Sequence, residues 1–278
     1  MRTSWIRLAL PLAMAAAGQL RAQQAEYART AGDTIRYRNA TKMEGVVRGA
    51  AGDAPFTLTR DATFAFAFAG GESVTAWLDA IAVEASGALG GERPSSDALV
   101  RALFRLHMTP NGRVVTVKAP EIPRSARLIA ELPVQLDDFF PHLPANGTLK
   151  VGTTWTDTAT RAESDSAGHH LSIRRINHYR ASGDSLVGGR MAVVIVQHVD
   201  VRITSTVPMQ TQPYIAALAL TGDEDGTSLF SVSEGRLLFR ERSGELHGAV
   251  TYKGGEEPWV VNQSYHYRRT DVLETVRP

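Results

Sequence analysis

Three groups of residues in this 278-residue chain have types and spacing that could do chemistry. Asp223-Glu224-Asp225-Gly226-Thr227, with Glu234 eleven residues after Asp223, has the carboxylate rhythm of a calcium loop, whose oxygen ligands alternate along the chain and end on a bidentate Glu. The pattern breaks at Ser228, where the sharp turn of such a loop needs glycine, and the flanks read as strands rather than helices. An acidic hairpin turn is the expected structure. His198 with Asp200, and His266 near Ser264, put polar groups on one face of a strand, and across strands they could form parts of a Ser-His-Asp relay. A wet, outward strand face explains them equally well. His169-His170 sits in a polar turn without a third ligand at metal-binding spacing. G-x-S-x-G, H-E-x-x-H, the P-loop and G-x-G-x-x-G are all missing from the sequence. With no cysteine, thiol catalysis and disulfides are excluded. The expectation is a protein with no catalytic residue, metal site or cofactor, and not an enzyme.

The remaining candidates are apolar. Phe56, Phe64, Phe66, Phe68 and Trp77 are core residues by default, and become a ligand surface only if their sheet curves around an incompletely filled concave face. Phe64, Phe66, Phe68 and Trp77, with Leu132, Leu136 and Phe139 from a covering helix, are therefore the candidate ligand-binding set.

Those residues need elements to place them. Phe56, Leu58, Ala62, Phe64, Phe66 and Phe68 share one face at period two, which predicts a long strand. Gly70-Gly71 supplies a hairpin turn, and Glu72 to Ala85 returns as a second strand. Strands near 13 residues long twist and coil, which suits a barrel or a strongly curved sheet. Residues 98–109 alternate cleanly, although Leu99, Leu103 and Leu106 also fit a helix capped by Ser96. Asn111-Gly112 then favours a hairpin of 98–109 with 113–118. Pro123 to Phe140 is the clearest helix, with Leu128, Ile129, Leu132, Leu136, Phe139 and Phe140 on one stripe and a kink at Pro133. Phe139 to Thr158 reads as a seam. Beyond it, Leu171–Ala181 runs into a Ser-Gly-Asp-Ser turn, and Arg190–Thr206 is the longest strand. Short strands follow at 214–221, 227–232, 236–242 and 246–252, broken by turns such as Ser243-Gly244, and the pattern is that of an antiparallel meander.

Residues 1–22 read as a secretory signal peptide: Arg2 and Arg7, an apolar run from Leu8 to Ala17, and Ala22 before Gln23. Its removal lowers the 30 basic residues by three to 27, against 29 acidic. That balance argues against nucleic acid and against a polybasic membrane contact. An apolar content of 43% is enough to bury a full core.

Pro141-His142-Leu143-Pro144 followed by Lys150-Val151-Gly152-Thr153-Thr154-Trp155 resembles the P-x-L-P…V-K-x-G-D-x-W seam of uncharacterised exported bacterial proteins. Thr153 stands where that group has Asp. Their architecture is similar to lipoprotein carriers of the LolA/LolB type, half-open β-barrels with helices over the concave face. The resemblance implies a mainly β fold: a curved antiparallel sheet or half-open barrel with a helix on its concave face. The expected organisation is a signal peptide over 1–22, a flexible segment over 23–32, and one β-rich domain over 33–272 whose halves join near 139–158. The expected role is non-catalytic binding of a lipid or acyl chain in the periplasm or outside the cell, with envelope proteins as further partners. The rival is a structural or assembly module whose concave face is filled core.

Overall fold

A computed structural model describes residues 23–50, 52–88, 99–121, 136–164, 168–209, 214–254 and 257–277. Alternation of apolar and polar side chains dominates these segments. In the strand Arg190–Pro208, Ile195, Val199 and Val201 are buried while His198, Asp200 and Arg202 are exposed. An apolar face this continuous has to find a partner, and the described segments fold into one antiparallel sheet of eleven strands. In chain order its members are β2 (Thr34–Gly49), β3 (Gly52–Gly70), β4 (Ser73–Gly87), β5 (Phe104–Met108), β6 (Val114–Lys118), β8 (Thr154–Ser164), β9 (His170–Val187), β10 (Arg190–Pro208), β11 (Ile215–Ser231), β12 (Arg236–Lys253) and β13 (Trp259–Arg277). Their order across the sheet is β6-β5-β4-β3-β2-β13-β12-β11-β10-β9-β8. The return of β13 beside β2 joins strands from both sides of the 139–158 seam into one surface. A separate two-stranded pair joins β1 (Gln23–Gln24) to β7 (Thr148–Leu149).

The strands of 19 residues are roughly 60 Å long at about 3.3 Å per residue. Strands of that length coil, and the sheet curls until its outermost members, β6 and β8, face each other. They are not hydrogen-bonded, so the sheet does not close into a barrel. Inside the curl, the end nearest the 70–72, 188–189 and 232–235 turns is solid. Tyr37, Phe64, Phe66, Leu78, Phe104 and Phe230 from the sheet are at most 1% exposed there. The seam segment adds Leu136, Phe139, Phe140 and Leu143. Phe139 touches Phe64 and Phe66 at centroid separations of 5.4 and 4.9 Å, and Tyr37 at 5.2 Å. Tyr27, ahead of β2, seals this end by donating to the Pro141 carbonyl at 2.9 Å.

Several elements differ from expectation. The helix over Pro123–Phe140 is unsupported: 122–135, with Leu128, Ile129, Leu132 and Pro133, lie outside the described residues, and from 136 onward only Leu136–Asp137 is helical before irregular chain. The seam segment wedges its aromatic rings into the core instead of laying a helical stripe over it. The hairpin expected from residue 98 starts only at Phe104, because 99–102 turn, with Arg101 at a φ of 62° and Val100 bridged to Leu78. The expected Ser-Gly-Asp-Ser turn lies within β9, where the pairing register shifts as a bulge beside Gly183, and the chain reverses at Gly188-Gly189. The four short strands after 214 are two long ones. Asp223 to Thr227 is the middle of β11 rather than a turn, and Ser243-Gly244 runs straight through β12. The cause is pairing across the sheet: Gly244 lies opposite Glu224, where a Cβ would come 3.1 Å from the Tyr267 ring. Glycine here makes room for a neighbour instead of breaking the strand.

Candidate functional site

Halfway along the concave face, the apolar pattern is interrupted. One rung of the sheet places Gln197, Gly226, Arg242, Arg269, Thr41 and Arg60 on adjacent strands from β10 to β3. The rung on the core side holds Arg240, Asp271 and Asn39. The rungs beyond contribute Glu224, Asn177 and Arg175, and Asp138 reaches in from the seam segment. Arg240, Arg242, Glu224 and Asp271 are at most 2% exposed. Charges buried to this degree are tolerated only when paired.

The pairing centres on two carboxylates. Asp138 accepts from Arg175 at 2.6 Å and from Arg242, with Arg240 at 3.9 Å. Glu224 accepts from Arg242 at 3.2 Å and from the Tyr267 hydroxyl, with Arg175 at 3.6 Å. Burial works against both anions, and the guanidinium charges outweigh it. Arg175, Arg242 and Arg240 hold Asp138 well below the usual carboxylate range, and Arg242 and Arg175 hold Glu224 down as well. Burial, then the Glu224 charge, pushes Tyr267 up. Asp271 accepts from Arg269 at 3.0 Å and Asn39 at 2.7 Å. Arg240 donates to neutral acceptors, the carbonyls of Asp138 and Phe139 at 2.7 and 2.9 Å and Gln197 Oε1 at 2.8 Å, while its Nε is buried without a hydrogen-bond partner. Arg60 donates to Asn39 and Thr41 at 2.9 and 3.1 Å.

Past this belt the inward face turns apolar again. Successive rungs carry Tyr267 with Met43 and Leu58, then Val201, Leu246, Tyr265 and Phe56, then Ile173, Ile203 and Leu220, then Leu171, Leu218, Val250 and Val261. Val201, Leu246 and Leu220 are buried, whereas Met43, Leu58, Ile203, Leu218, Val250 and Val261 are half-buried. The outward residues of the same strands are polar, among them Asp200, Arg202, Thr204, Glu245, His247, His266 and Arg268. The far half of the sheet is thus a trough with an apolar lining, and among the described residues no second layer lies over it.

The trough meets a gap between the two sheet edges. Asp137 spans it, accepting from the backbone and hydroxyl of Thr116 on β6 at 3.1 and 3.0 Å and pairing with Arg161 on β8. Arg113, just ahead of β6, reaches across to Asp157 and to the Thr158 carbonyl on β8. A cavity of about 420 Å³ lies at this gap, lined by Arg113, Thr116, Asp138, His142, Ile173 and Arg175 among others. His142 turns Nδ1 to Asp157 Oδ2 at 2.7 Å, while its Nε2 is buried without a hydrogen-bond partner.

The sequence-predicted residues divide by position. Phe64, Phe66, Phe68, Leu136 and Phe139 are 0–4% exposed inside the solid end. Trp77 lies on the opposite face from Leu78, its indole donating to Asp79 at 2.7 Å. Leu132 lies outside the described residues. In the acidic run, Asp223 and Asp225 point outward and Glu224 inward. His198 bonds to Asp225 at 2.9 Å, and His266 lies 3.2 Å from Glu44. Among the described residues no group of three or more potential ligands could hold a metal ion, and no helix is long and apolar enough to cross a membrane. Sequence reasoning missed the belt, although a signal existed: Arg240 and Arg242 interrupt an inward-facing period of two.

No protein-family model matches the sequence, and no curated protein matches it. Among solved structures, one of lipovitellin, solved for its lipid–protein interactions, aligns over 90% of this chain at 10% identity and a TM-score of 0.48. This chain spans 26% of that one. Neisserial surface protein A aligns over 86% of this chain and 97% of its own, at 7% identity and a TM-score of 0.24. A domain described as an outer membrane lipoprotein-sorting protein, from Vibrio parahaemolyticus, aligns over 88% and 85%, at 10% identity and a TM-score of 0.18. With TM-scores below 0.5, none of the three bears on function.

Proposed function

We propose that this chain is a non-catalytic, exported binding protein that holds a hydrophobic ligand, a lipid or acyl chain, in the far half of its concave face. One observation carries the reading: the sheet is two-faced along its length, but among the described residues only one end of its apolar face is filled by side chains. Antiparallel sheets normally pack one face and wet the other. A contiguous apolar surface with only partial cover marks a binding site more often than idle surface. The aromatic set around Phe64, Phe66 and Phe139 forms the closed end of the trough, and the lining is Met43, Leu58, Ile203, Leu218, Val250 and their neighbours. Single-domain organisation over 33–272 and export through residues 1–22 complete the proposal.

The test uses detergent-free protein and a fluorescent fatty acid. Ile203→Asp puts a charge on the half-buried lining, and Thr204→Asp puts the same charge on the exposed face one residue on. Binding that is lost in Ile203→Asp and kept in Thr204→Asp supports the trough. Native mass spectrometry with no co-purified lipid, together with no dye binding in wild type, refutes it and leaves a structural or assembly module.

A further inference from the structure

Resting on the trough reading, we infer that the ligand is a single-chain amphiphile with an anionic head, carboxylate or phosphate, its head against Arg175 in the gap cavity and its chain laid past Ile173 and Ile203. The argument is one of charge and unfilled donors. Leaving Arg60 aside, the belt among the described residues sets four guanidinium groups, on Arg175, Arg240, Arg242 and Arg269, against three carboxylates, on Asp138, Glu224 and Asp271. Each of those carboxylates is already held by two or more donors. The surplus is positive and sits where solvent does not screen it. Arg269 registers this crowding: burial, with Arg242 and Arg240 beside it, lowers its pKa despite the Asp271 partner.

Arg175 is the member of the belt that faces the cavity, with 15% of its side chain exposed. Its Nη1 holds Asp138, and its Nε is buried without a hydrogen-bond partner. His142, whose Nε2 is likewise buried and unpartnered, is among the residues lining the same cavity. The other acids at the gap are occupied: Asp137 by Thr116 and Arg161, Asp157 by His142 and Arg113, Glu163 by Arg161. A guanidinium fork suits the oxygens of a carboxylate or phosphate. About 420 Å³ falls in the range of small-ligand sites. From Arg175 the next inward residue of β9 is Ile173, with Ile203 beside it on β10, so a chain leaving the head enters the apolar lining directly.

The experiment compares palmitate, hexadecyl phosphate and hexadecanol as competitors of a fluorescent acyl probe, with wild type and Arg175→Met. The expected result is that at least one acid binds about ten-fold tighter than the alcohol in wild type, with the gap shrinking in high salt. The tighter acid names the head. In Arg175→Met the acid should fall to the alcohol's affinity while the alcohol changes little. Equal binding of acids and alcohol in wild type overturns the head-group assignment and leaves the trough standing. Failure of all three to bind overturns both. If Arg175→Met does not fold, the wild-type comparison and its salt dependence decide alone.

Discussion

Asp138→Asn is the sharpest perturbation of the belt. The substitution keeps shape and volume and removes one negative charge. In the native protein that carboxylate accepts from Arg175 and Arg242 and lies 3.9 Å from Arg240. Arg242 is 2% exposed and Arg240 0%, so neither can turn to water. Glu224 would be left as the carboxylate within reach of Arg242 and Arg175. Breaking a buried pair costs about 3–5 kcal/mol, because the surviving charge stays desolvated. We expect a loss in that range by urea melts with an unchanged slope. The control is Asp61→Asn, whose partner Arg38 is 63% exposed, and it should cost about 0–1 kcal/mol. The pH dependence has a definite sign. Asp138 and Glu224 have folded-state pKa values below their unfolded ones, so their contribution is fully present above the unfolded value near 4 and is lost as pH falls toward the folded one. Wild type should therefore lose stability more steeply than Asp138→Asn below about pH 4. A cost under about 1 kcal/mol, or identical acid limbs, would mean the belt is hydrated and the pairing argument fails.

Other expectations follow from the packing. Leu136→Ala, at 1% exposure in the solid end, should cost about 2–5 kcal/mol and leave acyl-probe affinity unchanged; a small cost with altered binding would move the ligand site to that end. Gly222→Ala would bring a Cβ to 1.9 Å from the Glu245 carbonyl and should destabilise by about 1–3 kcal/mol, whereas Gly183→Ala meets nothing within 4 Å and should be nearly neutral, both read by thermal melts. Calcium in excess should leave the melting temperature unmoved, since Asp223 and Asp225 face away from Glu224; a dose-dependent rise abolished by Asp223→Ala refutes this. Terminal sequencing of secreted protein should return Gln23 first, and intact Met1 on a membrane-embedded form would overturn the export proposal.

Period-two alternation is a local property, and it made β3 and β10 legible from sequence alone, with β4 following as the return of the hairpin at Gly70-Gly71. It also showed which side of each strand would be wet. Phe56, Leu58, Ala62, Phe64, Phe66 and Phe68 do share the inward face, and Arg190 onward is a long strand whose outward side becomes polar at His198. Composition excluded thiol chemistry without any coordinates. Pairing across the sheet decided the rest. Asp223 to Gly226 has the residues of a turn, yet it is strand because Glu224 meets Arg242 on the neighbouring strand, and no local propensity contains that partner. Ser243-Gly244 is strand because Tyr267 needs the space a side chain would take. Whether Phe64 and Phe66 line a pocket or fill a core depended on where Phe139 and Phe140 came to rest. Those rings sit more than seventy residues along the chain from Phe66, and only the curl of an eleven-stranded sheet brings them into contact. The arginine belt has the same origin: its members come from β2, β3, β9, β10, β11, β12, β13 and the seam, and a charge in one strand is tolerable inside only because other segments deliver its partners.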